Sequence, residues 1–328
     1  MAPDMTSTRT DHDLRTCEAA GSAGRGFLLP TLSSRPLPRW LTTLFWLNLA
    51  CQIGIVVTGG LVRLTGSGLG CPEWPQCVEG SITPTRHQEQ SWHKYVEFGN
   101  RTLTGLLSIV ALALLIGIIK GAPQRKGLRL PTAMVLFGIA LQAIVGGITV
   151  LTGLNPAIVA AHFMISMLLV AASAWLVWRG REGDAPARLI VRPGIWRLAQ
   201  GVAVFTAVVL LLGTLVTGSG PHSGDADEPV RLGLDPRTIS WLHADAVMLF
   251  VGLVIGVLVA VRLTAPGTNA PRAWTALLIV TLLQGLIGYV QYFTDLPWVL
   301  VLLHMLGASL LVASVTWALL SLRVREDV

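Results

Sequence analysis

The sequence predicts an all-α membrane protein of eight transmembrane helices, arranged as two pseudosymmetric four-helix bundles. Three observations carry that prediction. Only 13% of the 328 residues are charged and mean hydropathy is +0.64, whereas a soluble domain carries about 25% charged residues. The apolar residues gather in runs of roughly 18–24, close to the 20 or so that a helix needs to cross a bilayer. The second half of the chain also repeats the first. Alternating strand patterns are absent, and helices are the default spanning element because they satisfy their own backbone groups.

Residues 1–38 are polar, rich in Ser, Thr, Arg and Pro, and read as a disordered tail. Phe27–Leu29 is too short for the apolar region of a cleaved signal, so the first span serves as an uncleaved anchor. Spans are expected near 40–62, 98–119, 131–151, 157–178, 197–218, 239–263, 273–293 and 298–320. The first four make an N-terminal bundle over 39–178. A linker follows over 179–196, then a C-terminal bundle over 197–322 and a tail over 323–328.

The charges set the topology. Of the 24 Lys and Arg, 18 lie in the N-terminal tail, 120–129, 179–197, 262–272 and the C-terminal tail. The other six (Arg63, Arg86, Lys94, Arg101, Arg231 and Arg237) fall in or beside the alternate loops. Basic residues stay cytoplasmic, so both termini are expected inside, in a multi-pass protein of a bacterial inner membrane. The pI of about 9.6 is thus a topology signal, and the expected partner is the lipid bilayer, with no nucleic acid.

The repeat is read residue by residue. At an offset of 142, Leu141, Gln142, Gly146, Thr152, Leu154, Val159, His162 and Leu168–Ala171 match Leu283, Gln284, Gly288, Thr294, Leu296, Val301, His304 and Leu310–Ala313. Earlier, VTG at 57–59 echoes VTG at 216–218. Four helices per repeat give both halves the same orientation, with a pseudo-axis along the membrane normal.

Three of the seven histidines, His162, His243 and His304, lie inside apolar spans, and His93 stands at the outer entrance of the second. His12, His87 and His222 read as solvated. An ionisable group inside a membrane is costly and marks a functional site by default; an interhelical hydrogen bond is the simpler alternative for any one of them. His162 and His304 follow Pro156 and Pro297 by six and seven residues, which places both roughly 9–10 Å into their helices. His243 and His304 stand at similar depth on helices six and eight. Two neutral imidazoles facing each other across a bundle suit haem iron. Zinc is disfavoured, since cysteine and carboxylate partners are missing at that depth.

The N-terminal half breaks this symmetry. The position equivalent to His243 is Asn100, so His162 is the one strong ligand there. His93, Glu97 and Asn100 share a helix face by their spacing. An acid beside a lone histidine points to a reaction site; a matched histidine pair points to a resident cofactor. Glu97 also admits a simpler reading, as a helix-end carboxylate paired with Lys94 or Arg101. Arg63 and Arg101 suit haem propionates or interfacial anchoring. Gln142 and Gln284, near mid-membrane, suit interhelical hydrogen bonds. Asp245 is expected to stabilise a helix N-terminus, and Asp225, Asp227 and Glu228 to form a solvated loop. Cys71 and Cys77 share a Pro-containing outer loop, where a disulfide, clamping or redox-active, competes with two free thiols.

Several segments resemble the haem A synthase family: GGLVRLTGSGLGCPEWPQC, VEFGNRTLTG, VTGSGPHSGD and the two helical segments ending in His162 and His304. The resemblance covers residues from about 40 to 320. It implies two pseudosymmetric bundles, the C-terminal one holding haem b. The N-terminal one would receive haem O and oxidise its ring-D methyl to a formyl group, giving haem A for a terminal oxidase. His243 and His304 match the haem b ligands, His162 one N-terminal histidine, Glu97 the acid thought to assist the chemistry, and Cys71 and Cys77 the outer-loop pair. Many members read EYSHR where this chain reads EFGNR, so Asn100 replaces a histidine. His162 is then expected to bind the substrate iron alone, with His93 as a possible substitute on the other side. The haem O synthase (a farnesyltransferase) and an electron acceptor are the implied partners. The alternative is a bis-histidine haem b cytochrome that only transfers electrons, which leaves Asn100 and the cysteine loop unexplained. A transporter is disfavoured because broken helices are nearly absent within the spans.

Overall fold

The computed structural model describes residues 37–222, 224–225 and 230–325. The expectations for the 1–38 tail (all but its last two residues), for Asp227 and Glu228 and for the last three residues lie outside the described residues.

Among these residues eight helices are long and apolar enough to cross a membrane, which makes the chain a multi-pass membrane protein. They are α1 (Arg39–Leu64), α2 (His93–Gly121), α3 (Arg129–Leu151), α4 (Pro156–Arg179), α5 (Pro193–Ser219), α6 (Pro236–Thr264), α7 (Ala270–Phe293) and α8 (Trp298–Leu320). Every expected span is present. The helices run a few residues beyond the apolar runs because their ends are set by turn chemistry. Pro156, Pro193 and Pro236 occupy first helical positions, where the missing N–H would have had no partner. Asn155 caps α4 by accepting from the Ala157 N–H at 3.0 Å, and Asp235 caps α6 by accepting from the Thr238 N–H at 2.8 Å. The expectation for Asp245 is corrected here: it stands more than two turns inside α6, and the capping carboxylate is Asp235.

Within each set of four the helices pack on one another, and α8 packs more extensively on α4 and α1 than on α5. Helix α1 packs against α2 and α4, and α3 against α2 and α4; α5 packs against α6 and α8, and α7 against α6 and α8. Two apolar cores follow from this. One holds Leu41, Phe45, Leu114, Ile139, Val170 and Trp178; the other holds Val202, Phe250, Val257, Trp274, Leu277 and Val315. The sets meet where α4 and α1 touch α8 and α4 touches α5, and α8 lends Val312 to the first core. Large apolar side chains such as Phe137, Leu168 and Leu263 point outward, as lipid contact requires.

The turns α3–α4 and α7–α8 are built alike. Gly153 and Leu154 have φ of 59° and 57°, and Asp295 and Leu296 have 59° and 56°. The Leu154 N–H donates to the Thr149 carbonyl and the Leu296 N–H to the Gln291 carbonyl, each at 2.8 Å. Left-handed backbone is unfavourable for leucine, so the same conformation at matched positions is a strong local imprint of the repeat. One strand pair departs from the expectation of no strands: β1 (Arg188–Leu189) pairs antiparallel with β2 (Arg323–Val324). Two residues are too few for an alternating pattern to register.

Candidate haem-binding site

Four polar side chains stand on the even-numbered helices, and each faces a glycine on the helix before it. His243 of α6 faces Gly213 of α5; His304 of α8 faces Gly288 of α7; His162 of α4 faces Gly146 of α3; Asn100 of α2 faces Gly59 of α1. A Cβ built on Gly213 or Gly288 would stand 3.3 Å from the histidine Cε1, on Gly146 3.4 Å, and on Gly59 3.9 Å from Asn100 Nδ2. The missing side chains leave the rings room. This register corrects the VTG echo: Gly59 faces Asn100, while Gly218 of the second triplet packs against Leu232 and Pro156.

His243 and His304 stand at similar depth, about two turns into α6 and α8. Beside them lie the backbone carbonyls of Val209 and Gln284 respectively. The Nδ1 atoms of His162, His243 and His304 are all buried without a hydrogen-bond partner. A buried imidazole nitrogen with no partner is costly; a ligating histidine turns one ring nitrogen to a backbone carbonyl and offers the other to a metal, and the carbonyls beside His243 and His304 suit that arrangement. The two imidazoles and the glycine cradles beside them fit a haem group, which His243 and His304 would hold.

Two glutamines bond to the backbone of histidine-bearing helices. Gln142 Nε2 donates to the His162 carbonyl at 2.9 Å and also to Ser166 Oγ; Gln284 Nε2 donates to the His304 carbonyl at 2.7 Å. These are the interhelical bonds expected of them. Each couples a histidine-bearing helix to its neighbour.

The segment between α1 and α2 is built around the disulfide Cys71–Cys77, whose Cα atoms lie 4.3 Å apart. Glu97 is buried, and its Oε2 accepts from the Cys71 N–H at 2.7 Å. Its Oε1 pairs with Arg101 at 2.5 Å. Arg101 spends the rest of its fork on the carbonyls of Glu73, Gln76 and Cys71, at 2.8, 2.9 and 2.7 Å. All five of its donors are therefore engaged by Glu97 and the loop, and the structure places Arg101 at the loop rather than toward the paired histidines. Lys94, buried as well, donates to the carbonyls of Thr85, Arg86 and Gln88. Sequence reading did not find this use of Lys94 and Arg101, because their partners are backbone carbonyls, which no residue pattern displays.

The other predicted residues are placed as follows. Asn100 Oδ1 accepts from the Thr58 hydroxyl at 2.7 Å. His93 Nδ1 is bonded to Ser67 Oγ at 2.8 Å and its ring stacks on Trp92. Arg63 donates to the carbonyls of His222 at 2.6 Å and Thr217 at 3.1 Å. His222, expected to be solvated, is half-buried and bonded through Nε2 to the Leu296 carbonyl at 3.1 Å. Asp225, likewise expected in open solvent, forms a bridge with Ser67.

The fold defines a class of multi-pass α-helical membrane protein, with three histidines and an asparagine set inside its helices against glycines. Residues 42–222 match the COX15-CtaA family of cytochrome oxidase assembly proteins. The chain belongs to that family. It is similar to a heme A synthase of Lysinibacillus sphaericus, 28% identical over 283 residues that cover 81% of this chain and 91% of that protein. It is also similar to heme A synthases of Bacillus mycoides and Bacillus cereus, each 25% identical over 286 residues, covering 84% of this chain and 90% of theirs.

Proposed function

We propose that this chain converts haem O to haem A for oxidase assembly, oxidising a ring methyl to a formyl group through the alcohol. Family membership and the heme A synthases it resembles support the overall reaction. The observation that carries the division of labour is the inequality of the two ligand pairs: His243 with His304 in one half, His162 with Asn100 in the other.

In this reading the C-terminal half holds haem b, which supplies one-electron redox chemistry when bound. His243 and His304 ligate it, and Gln284 keeps the His304 helix in register. The N-terminal half receives haem O. His162 holds its iron, and the Asn100 amide, a far weaker donor than imidazole, leaves the opposite side open. Counted with water as the oxygen donor, each of the two steps, methyl to alcohol and alcohol to aldehyde, releases two electrons and two protons, and the electrons pass to an external acceptor. Glu97 lies one turn from Asn100 and serves as the proton acceptor; the Cys71 N–H and Arg101 hold its carboxylate in place. The site sits toward the outer face of a bacterial inner membrane, with both termini in the cytoplasm.

The test is pigment analysis of cells carrying the chain, a deletion, or Glu97→Ala. The deletion is expected to lose haem A and accumulate haem O. Glu97→Ala is expected to accumulate haem O or the alcohol while purified protein keeps its haem b spectrum. An unchanged haem profile in the deletion would overturn the assignment.

A further inference from the structure

The face opposite the disulfide loop carries a cluster that the haem chemistry does not use. Arg125, Arg179, Arg323 and Arg325 converge on Glu182 and Asp184. Arg125 bonds to Asp184 at 3.0 Å, Arg179 to Glu182 at 3.0 Å, and Arg323 and Arg325 approach Glu182 only to 3.6 and 3.5 Å. Glu182 is already committed, since it also accepts from the Trp178 indole N–H at 2.8 Å. Four guanidinium groups thus share two carboxylates. Arg323 Nε and Nη2 and Arg325 Nε are buried with no hydrogen-bond partner, and burial together with the neighbouring arginines depresses the pKa of both. Buried cations left short of acceptors are costly.

A cavity of about 440 Å³ opens beside this cluster, lined by Gln124, Lys126, Trp175, Arg179, Asp184 and Arg325. Lys126 is exposed and adds a further positive charge. Asp184 is the one acid on the wall, and Arg125 and Arg179 already neutralise it. Trp175 belongs to the last turns of α4, where a membrane helix meets its interface, and its ring lies under the Arg179 guanidinium. Arg179 is committed to Glu182, Asp184 and the Gly183 carbonyl, but Arg325, whose Nη1 donates to the Ala185 carbonyl at 2.6 Å, keeps Nε without an acceptor. Such an arginine, a lysine and an interfacial tryptophan around one cavity are the chemistry that recognises a phosphate at a membrane surface.

We propose that this cavity binds the phosphate of an anionic phospholipid headgroup, held by Arg325 and Lys126 with the acyl chains leaving past Trp175. The site is independent of the haem reading and rests on the membrane placement alone. A free phosphate would offer the same acceptors. Trp175 at the helix end favours the lipid.

The full-length protein in neutral detergent is titrated with phosphatidylglycerol, with phosphatidylcholine of the same chains and with inorganic phosphate, and binding is read by native mass spectrometry and thermal shift. Phosphatidylglycerol is expected to bind saturably and raise the unfolding temperature. The double variant Lys126→Ala/Arg325→Ala should bind roughly 30-fold more weakly, and Arg325→Lys should keep most of the affinity. Should the double variant fail to fold, Lys126→Ala alone, at an exposed position, is expected to weaken binding roughly fivefold. Equal binding of the two lipids, or unchanged binding by the variants, would overturn the proposal. Equal stabilisation by inorganic phosphate would overturn the lipid as its source.

Discussion

Arg101 shows how a charge near a membrane surface is made tolerable. Its five donors meet one carboxylate and three carbonyls, so removing the side chain strands Glu97 and opens the disulfide loop at once. Arg101→Ala is expected to destabilise the protein by about 3 kcal/mol, the range for breaking a largely buried pair. Arg101→Lys should recover little of it, since a point charge cannot reproduce the fork. Thermal unfolding in detergent decides between these outcomes. Gly288 is the complementary case, where nothing is the required side chain. A Cβ there would stand 3.3 Å from His304 Cε1, tight enough to move the ring by a few tenths of an ångström. Gly288→Ala is expected to fold normally and shift the visible absorption of purified protein, and Gly288→Val to lose its pigment. Wild-type absorption in Gly288→Val would remove His304 from the ligand set.

At the scale of elements, the helix ends are controlled by short polar contacts that can be titrated. Asp235 accepts from the Thr238 hydroxyl and N–H, and these bonds hold its carboxyl below the ordinary aspartate range. The cap's contribution is therefore complete above the free carboxyl's pKa and is lost as pH falls through the lower folded value. Asp235→Ala should lower the unfolding temperature at neutral pH, with the difference from wild type vanishing in acid. A constant difference down to low pH would mean that the carboxylate is not the active group. The contrast with Asp245 explains what sequence could and could not deliver. Eight spans, the cysteine pair and the histidine depths follow from apolar run length, loop composition and distance from a proline, and all are readable along one dimension. Which aspartate caps α6 depends on where the first turn starts, and that moved when Pro236 rather than the apolar run set the boundary. The glycines facing the histidines were equally hidden. Glycines are frequent in apolar helices, and only the packing of α5 on α6 and α7 on α8 reveals which ones face a ring.

At the scale of the whole molecule, the question is how two four-helix sets act as one. Inside the membrane they share α8, with the Trp317 indole N–H donating to the Ala174 carbonyl at 2.9 Å and Gly60 of α1 lying against Met305. At the end of the molecule that carries the disulfide loop the joint is Arg63. It leaves the last turn of α1 and donates to the carbonyls of Thr217, in the last turn of α5, and of His222, just after it, while the Gly68 N–H reaches the Gly224 carbonyl at 2.9 Å beside it. If electrons drawn from a guest in one half pass to a resident group in the other, the distance between them depends on this joint. Arg63→Ala removes both side-chain bonds, and the hydrogen bonds of Arg63 go to the carbonyls of Thr217 and His222 rather than to His243 or His304. The variant should keep the haem b spectrum and lose about 3 kcal/mol of stability, the lower end for two hydrogen bonds from a charged donor. It should also convert haem O several-fold more slowly. Arg63→Lys, which restores one bond at most, should fall between. Loss of the spectrum together with the activity would place Arg63 at the resident group itself, and unchanged conversion would show that this joint has no part in coupling the halves.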